Sequence, residues 1–163
     1  MPLACRAIES VRPAPGHACT GEAGELVYEI GRAFLKSSLA FLTRFFGGMN
    51  FSRFYLRRMR KRAAESHLRQ YPGDYVYNFV EGDSTTFDYG VDYLECASCK
   101  FMAKQGASEL APYLCPVDIL YSDALGWGLM RTQTLAEGAP KCDFRLKKGG
   151  PTKVAVPASL RMQ

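Results

Sequence analysis

The spacing of apolar residues changes along the chain, and this change constrains the fold more than any other feature of the sequence. Between residues 25 and 46, apolar side chains recur at the three- and four-residue spacing of a helix. Over residues 75–80 and 87–95 they alternate instead, which is typical of strands that bury one face. The sequence therefore predicts helices first and a sheet second.

The second half of the chain repeats this order in shorter segments. Helices are predicted over about 96–105 and 111–124, and strands over 129–135 and 142–146. Helices followed by strands, twice over, indicate an α+β fold. We expect a mostly antiparallel sheet of about four strands, packed with the N-terminal and intervening helices.

Glycine, proline and capping residues set the predicted boundaries. The pair Gly47-Gly48 is predicted to end the first helix, and Asn50 or Ser52 to cap a second helix that runs to about Gln70. Prolines and glycines without apolar periodicity predict a flexible leader and a tail around a single domain. The predicted limits are 1–24 for the leader, 25–148 for the single α+β domain and 149–163 for the tail.

Charged residues argue against a membrane span. The longest apolar stretch, residues 26–46, contains Glu29, Arg32, Lys36 and Arg44, whereas a span needs about 20 nearly uncharged residues. No secretory signal is visible at the N-terminus. We therefore expect a cytoplasmic protein without a transmembrane segment, whose cysteines are reduced.

The formal net charge is +5, and much of the positive charge lies in one basic block. Its members are Arg44, Arg53, Arg57, Arg58, Arg60, Lys61 and Arg62. Such a block can contact nucleic acid or an anionic membrane. We interpret it first as a solvated helix face, and we consider nucleic acid an unlikely partner because the interleaved aromatic residues have the spacing of a helix core.

Cysteines and aspartates concentrate in the second half of the chain, in the order Cys96-x-x-Cys99, Cys115-x-x-Asp118, Cys142-Asp143. Cysteine usually serves in disulfides, metal ligation or nucleophilic chemistry. One alternative is a zinc or iron site built from Cys96, Cys99, Cys115 and Cys142, although a second C-x-x-C or a histidine pair is missing. Another is a redox pair of Cys96 and Cys99.

Residue spacing indicates which of these groups can act together. Cys115 and Asp118 are three residues apart, so a helix places them on one face. A carboxylate beside a thiol raises the thiol pKa, so Asp118 is better suited to move a proton or orient a substrate amine. Cys142 and Asp143 are adjacent and point to opposite faces of a regular strand, which makes Cys142 the better core residue.

Several short motifs follow one another in a fixed order from residue 95 to residue 147. They are Cys99, Gly106, Glu109-Leu110, Cys115-Pro116-Val117-Asp118, Arg131-Thr132-Gln133-Thr134-Leu135 with Gly138, and Cys142-Asp143-Phe144-Arg145. In this combination the stretch, about a third of the chain, resembles the L-2-amino-thiazoline-4-carboxylic acid hydrolase family. Cys96 is an addition to the family pattern.

The resemblance implies a bacterial hydrolase that opens a cyclic amidine ring. Its substrate would be L-2-amino-thiazoline-4-carboxylate or a related small molecule, and its product a carbamoyl-cysteine-type compound. No cofactor is predicted, and an oligomer is left open. The alternative is a non-catalytic, cysteine-rich domain that binds a metal or small ligand, or that responds to redox state.

The resemblance also suggests roles for individual residues. Cys115 is predicted to be the nucleophile and Asp118 the general acid/base. Cys142 and Asp143 are predicted to be a second catalytic pair that orients the substrate or supplies the nucleophile instead. A guanidinium can grip the substrate carboxylate at two points. The predicted substrate-binding residues are Arg131, Arg145, Thr132 and Thr134.

Overall fold

The computed structural model describes residues 26, 28–33, 35 and 40–155, so the predicted leader lies outside the described residues. Residues 28–33 are helical. Helices follow at Ala40–Met49 (α1), Arg53–Ser66 (α2), Ala97–Lys104 (α3), Ala111–Leu114 (α4) and Val117–Leu125 (α5). The strands are Val76–Glu81 (β1), Tyr89–Glu95 (β2), Leu129–Arg131 (β3), Cys142–Leu146 (β4) and Lys153–Val154 (β5). Short 3-10 helices cover Ser108–Leu110 and Leu135–Glu137.

The strands form one sheet in the order β1-β2-β4-β3-β5. The first four pair antiparallel, and β5 joins the edge of β3 in parallel. The α+β prediction is confirmed, as is the mostly antiparallel sheet. The fifth strand lies in the segment predicted as a tail, and its two residues are too few to show an alternating pattern.

One face of the sheet packs against α2. Tyr89, Val91, Leu129 and Leu146 are buried there, and α2 adds Tyr55, Leu56 and Met59 at helical spacing. The register pairs Tyr93 with Cys142 and Val91 with Phe144. Paired residues of antiparallel strands share a face, so Cys142 and Phe144 also lie on this α2-covered face.

The prediction that Gly47-Gly48 ends the first helix is wrong. Helix α1 continues through both glycines to Met49. A Cβ atom on Gly47 would lie 2.0 Å from the carbonyl oxygen of Leu125 in α5. Gly47 is therefore needed for the close approach of two helices. Glycine occurs both at helix ends and at such contacts, and the sequence alone does not distinguish the two.

Ser52 caps α2, as the sequence predicts, and its hydroxyl accepts a hydrogen bond from the Tyr55 amide at 3.2 Å. The helix ends at Ser66 and not at about Gln70. The Ser66 hydroxyl donates to the Ala63 carbonyl and accepts from the Tyr77 amide at 3.1 Å. This contact ties the helix end to β1. Among the described residues, no helix has the length and apolar character needed to cross a membrane.

Candidate active site

Arg131 and Asp118 form a partly buried ion pair where β3 meets α5. Arg131 is the last residue of β3, and only 1% of its side chain is exposed. Its Nη1 donates to the Asp118 carboxylate, and also to the Cys115 carbonyl oxygen at 3.3 Å. Its Cζ lies 5.5 Å from the centre of the Phe144 ring. The C-x-x-D and R-T-x-T motifs therefore meet at one guanidinium.

The second edge of this guanidinium consists of Nε and Nη2. Arg131 Nε and Nη2 are buried, and neither has a hydrogen-bond partner within the part of the chain that the structure describes. These two nitrogens carry the parallel N–H bonds that match a carboxylate at two points. Because buried donors are normally paired, this edge is the unsatisfied part of the ion pair.

Pro116 shapes the segment that carries Asp118. The predicted single helix over 111–124 is wrong, because the structure divides it into α4 and α5 around Cys115 and Pro116. Proline lacks the N–H needed inside a helix but fits at a helix start. Asp118 then falls in the first turn of α5, where its amide donates to the Cys115 carbonyl at 3.2 Å.

Asp118 has the electrostatics of a proton-transfer group. Burial raises the pKa of its carboxyl to about 6, although the neighbouring Arg131 acts in the opposite direction. An acid/base with a pKa close to the working pH transfers protons efficiently. Since 35% of the Asp118 side chain is exposed, a ligand can reach it.

The thiols of Cys142 and Cys115 are held in different ways. Cys142 is buried, and its sulfur accepts a hydrogen bond from the Leu135 amide at 3.2 Å. Burial raises the pKa of Cys142, whereas this amide and the charge of Arg131 lower it. Cys115 instead donates to the Ala111 carbonyl at 3.8 Å, and burial raises its pKa to about 11.

Cys96 and Cys99 lie at the start of α3, where Cys96 is the N-cap residue. Burial and the neighbouring Cys96 raise the pKa of the Cys99 thiol to about 12. Cys96, Cys99, Cys115 and Cys142 are all free. Within the described ranges, no three His, Cys, Asp or Glu side chains are grouped so that they could hold a metal ion. The alternative zinc or iron site therefore gains no support.

Asp143 lies on the opposite face of the sheet from Cys142, as strand alternation requires. Its carboxylate accepts hydrogen bonds from the amides of Thr132 and Gln133, each at 2.9 Å, and from the Thr132 hydroxyl. Burial opposes ionisation, but these hydrogen bonds hold the pKa of Asp143 below its usual range. They also explain why β3 ends at Arg131, although the sequence predicts a strand over 129–135.

The remaining predicted substrate-binding residues have protein partners. The buried Thr134 hydroxyl donates to a Glu137 carboxylate oxygen at 2.8 Å and accepts from the Glu137 amide, so it caps a 3-10 helix. Arg145 pairs with Asp92 at 2.8 Å on the same face as Asp143. Through these contacts Arg145, Thr132 and Thr134 stabilise the strand ends and the connecting loop.

Four of the eight predicted site residues therefore belong together: Cys115, Asp118, Arg131 and Cys142. Two groups near them were missed. The Leu135 amide is a backbone donor without a sequence signal. Tyr93 is opposite Cys142 in the register, and burial, with smaller effects of Tyr77 and Asp118, raises the pKa of its phenol. Strand alternation over residues 87–95 predicts only that Tyr93 lies on the buried face of the strand.

The comparison with protein families adds to this geometry. A family model described as L-2-amino-thiazoline-4-carboxylic acid hydrolase matches residues 5–146. The chain belongs to this family. The match confirms the resemblance carried by residues 95–147 and extends it over α1, α2 and β1. No curated protein and no solved structure matches the chain.

Two motifs that the family resemblance rests on have separate tasks in this hydrolase-family chain. The C-x-x-D segment provides Asp118 and a carbonyl to the Arg131 guanidinium. The C-D-F-R segment provides Cys142 and Phe144 to the same side of the sheet, and Asp143 to the loop on the other side. The site is therefore assembled from α5, β3 and one face of β4.

Proposed function

We propose that this family member hydrolyses a small cyclic amidine that bears a carboxylate, with L-2-amino-thiazoline-4-carboxylate as the first candidate. The buried Arg131 guanidinium carries the proposal, because one edge contacts Asp118 and the other has no hydrogen-bond partner among the described residues. The candidate substrate has a group for each side of this pair. Its carboxylate matches the free guanidinium edge, and its basic amidine nitrogens match the Asp118 carboxylate.

Asp118 acts as the general acid/base in the proposed reaction. The electrophilic atom is the ring carbon bonded to the sulfur and both nitrogens. A nucleophile adds to this carbon, a ring bond to sulfur or nitrogen breaks, and Asp118 passes the proton to the departing atom. The carbamoyl-cysteine product contains the atoms of one water molecule more than the substrate.

We assign the nucleophile to Cys142 rather than Cys115, which reverses the order suggested by the sequence. The Leu135 amide points at the Cys142 sulfur and stabilises its thiolate, whereas the Cys115 thiol donates to a carbonyl. The Cys142 proton passes to Asp118 as sulfur attacks the ring carbon. Water then releases the carbamoyl product and restores the thiol.

The decisive experiment is to incubate the full chain with L-2-amino-thiazoline-4-carboxylate and follow the product by mass spectrometry. Cys142→Ser and Cys115→Ser form a matched pair, since both replace a partly or fully buried thiol near Asp118. We expect the Cys142 variant to lose at least about a hundredfold in kcat and the Cys115 variant to stay close to the unmodified chain.

Each other outcome is informative. A large loss in Cys115→Ser alone would move the nucleophile to Cys115. Full activity in both variants would leave water, activated by Asp118, as the attacking group. The absence of product with the unmodified chain would contradict the proposed substrate.

A further inference from the structure

The outer face of α2 is strongly basic. Its inward residues Tyr55, Leu56 and Met59 pack towards the sheet. At about 100° per residue, five exposed side chains fall within an arc of about 140° on the opposite side. They are Arg53, Phe54, Arg57, Arg58 and Lys61.

Large apolar side chains are also exposed around the turn between α1 and α2, which are separated by three residues. Phe54 is 76% exposed, and Phe45, Phe46 and Met49 of α1 are exposed as well. The Phe45 and Phe46 rings lie edge to face with centroids 5.8 Å apart. Single exposed apolar residues are normal, but a group of large ones marks an interaction surface. We call Phe45, Phe46, Met49, Phe54 and the basic residues of α2 the α1–α2 surface.

Most of the positive charge on this surface is not neutralised within the described part of the chain. Arg60 pairs with Glu81, and Lys61 pairs with Glu65. Among the described residues, Arg53, Arg57 and Arg58 have no carboxylate within ion-pair distance. A partner of this surface is therefore expected to be anionic.

We propose that the α1–α2 surface binds an anionic membrane surface, with its apolar side chains entering the headgroup layer and its arginines contacting lipid phosphates. Amphipathic helices bind membranes through this combination of buried apolar area and basic charge. Single-stranded nucleic acid stacks its bases on flat aromatic platforms, which the edge-to-face Phe45–Phe46 pair and the flexible Met49 do not provide. A second copy of the chain would bring like charges together.

The test is co-sedimentation of the full chain with phosphatidylcholine vesicles that contain or lack phosphatidylglycerol. We expect binding only to the anionic vesicles, and weaker binding at high salt, because salt screens exposed charges. Arg57→Gln/Arg58→Gln should weaken binding about 25-fold, as follows from the usual contribution of two basic residues near an anionic surface. Lys104→Gln/Lys153→Gln changes the net charge equally at exposed sites elsewhere and should bind like the unmodified chain.

Phe54→Ser tests the apolar component, with Tyr71→Ser as the control at an exposed aromatic residue outside the surface. We expect only Phe54→Ser to reduce sedimentation with anionic vesicles. Failure of the unmodified chain to bind these vesicles would overturn the proposal, and so would equal binding by the surface variants and their controls. Tighter binding to DNA, or a dimer that Phe54→Ser abolishes, would also overturn it.

Discussion

Arg131 is a buried cation whose charge is matched by one partly exposed carboxylate, Asp118. Removing either partner of such a pair leaves a buried charge without compensation and is strongly destabilising. The informative substitutions are therefore those that keep the charge or the shape. Substitutions of this kind test ligand binding at this site while the chain stays folded.

Arg131→Lys keeps the charge but removes the two-point edge formed by Nε and Nη2. We expect KM for the proposed substrate to rise about ten- to a hundredfold, the usual value of a charge-assisted hydrogen bond. Arg145→Lys is the matched control, because Arg145 also pairs with an aspartate but on the opposite face of the sheet. It should leave KM nearly unchanged.

A substrate without the carboxylate provides the second measurement for Arg131. With 2-amino-2-thiazoline, the unmodified chain and Arg131→Lys should have similar kcat/KM, because the lost contact is absent in both. A loss on this analogue as large as the loss on the carboxylate substrate would show that Arg131 acts through the fold and does not grip the acid group.

Asp118 should set the acidic limb of the pH–activity profile. A general base must be ionised, and burial raises the Asp118 pKa from 3.8 to about 6. We expect kcat/KM to rise with pH through about 6 and to fall about tenfold per unit below it. Asp118→Asn should remove the limb and lower kcat at least about a hundredfold, whereas Asp123→Asn on the same helix should retain the limb. A limb below pH 4 would instead point to Asp143, whose pKa is lowered.

The limits of a helix or strand could be predicted from the sequence where they depend on neighbouring residues, and could not where they depend on a distant segment. The Ser52 cap depends on an amide three residues away, and β4 has the predicted limits because its apolar alternation is complete. The end of β3 depends instead on the Asp143 carboxylate in β4. This carboxylate accepts hydrogen bonds from the amides of Thr132 and Gln133, the two residues that follow β3. A pattern in one segment cannot reveal a partner in another.

The candidate site divides in the same way. The shared helix face of Cys115 and Asp118 and the opposed faces of Cys142 and Asp143 follow from helical and strand periodicity. Periodicity does not predict that the two edges of the Arg131 guanidinium have different surroundings. They depend on the Pro116 break, which brings a carbonyl and a carboxylate to the same nitrogen.

Gly47 is the contact point between α1 and α5. Gly47→Ala would bring a Cβ within 2.0 Å of the Leu125 carbonyl oxygen, so the helices must separate. We expect a loss of about 1–3 kcal/mol in the free energy of unfolding. Gly48→Ala is the control, since its Cβ would meet only the Lys148 side chain at 3.7 Å, and alanine favours helix over glycine. Thermal melting of the two variants should shift in opposite directions, and equal shifts would contradict this account.

In the whole molecule, the strand that carries Arg131 is an interior strand of the sheet. β3 lies between β4 and β5, and the Ala155 amide donates to the Arg131 carbonyl at 2.9 Å. Thr152 adds a 2.7 Å hydroxyl contact to Ser122 of α5. The segment of residues 152–155, which contains β5, therefore stabilises both the β3 backbone and the helix of Asp118.

A chain that ends after Gly150 should lose these contacts. We expect a decrease of about 2–3 kcal/mol in the free energy of unfolding, from about 1 kcal/mol for each lost hydrogen bond, and lower activity because Arg131 is held less firmly. Lys153→Ala is the control, as its exposed side chain is separate from the backbone pairing. Denaturant unfolding measures both, and an unchanged midpoint in the truncated chain would refute the stabilising role of β5.

The unpartnered edge of Arg131 also offers a way to search for the natural ligand without knowledge of the reaction. A buried donor without an acceptor costs about 1–3 kcal/mol, and a ligand carboxylate that fits would remove this cost. Small carboxylic acids should then raise the melting temperature by about 2–4 °C per kcal/mol for a chain of this length, and their amides should not. A melting screen of metabolite acids, repeated with Arg131→Lys, would rank candidate substrates by fit before any turnover is detected.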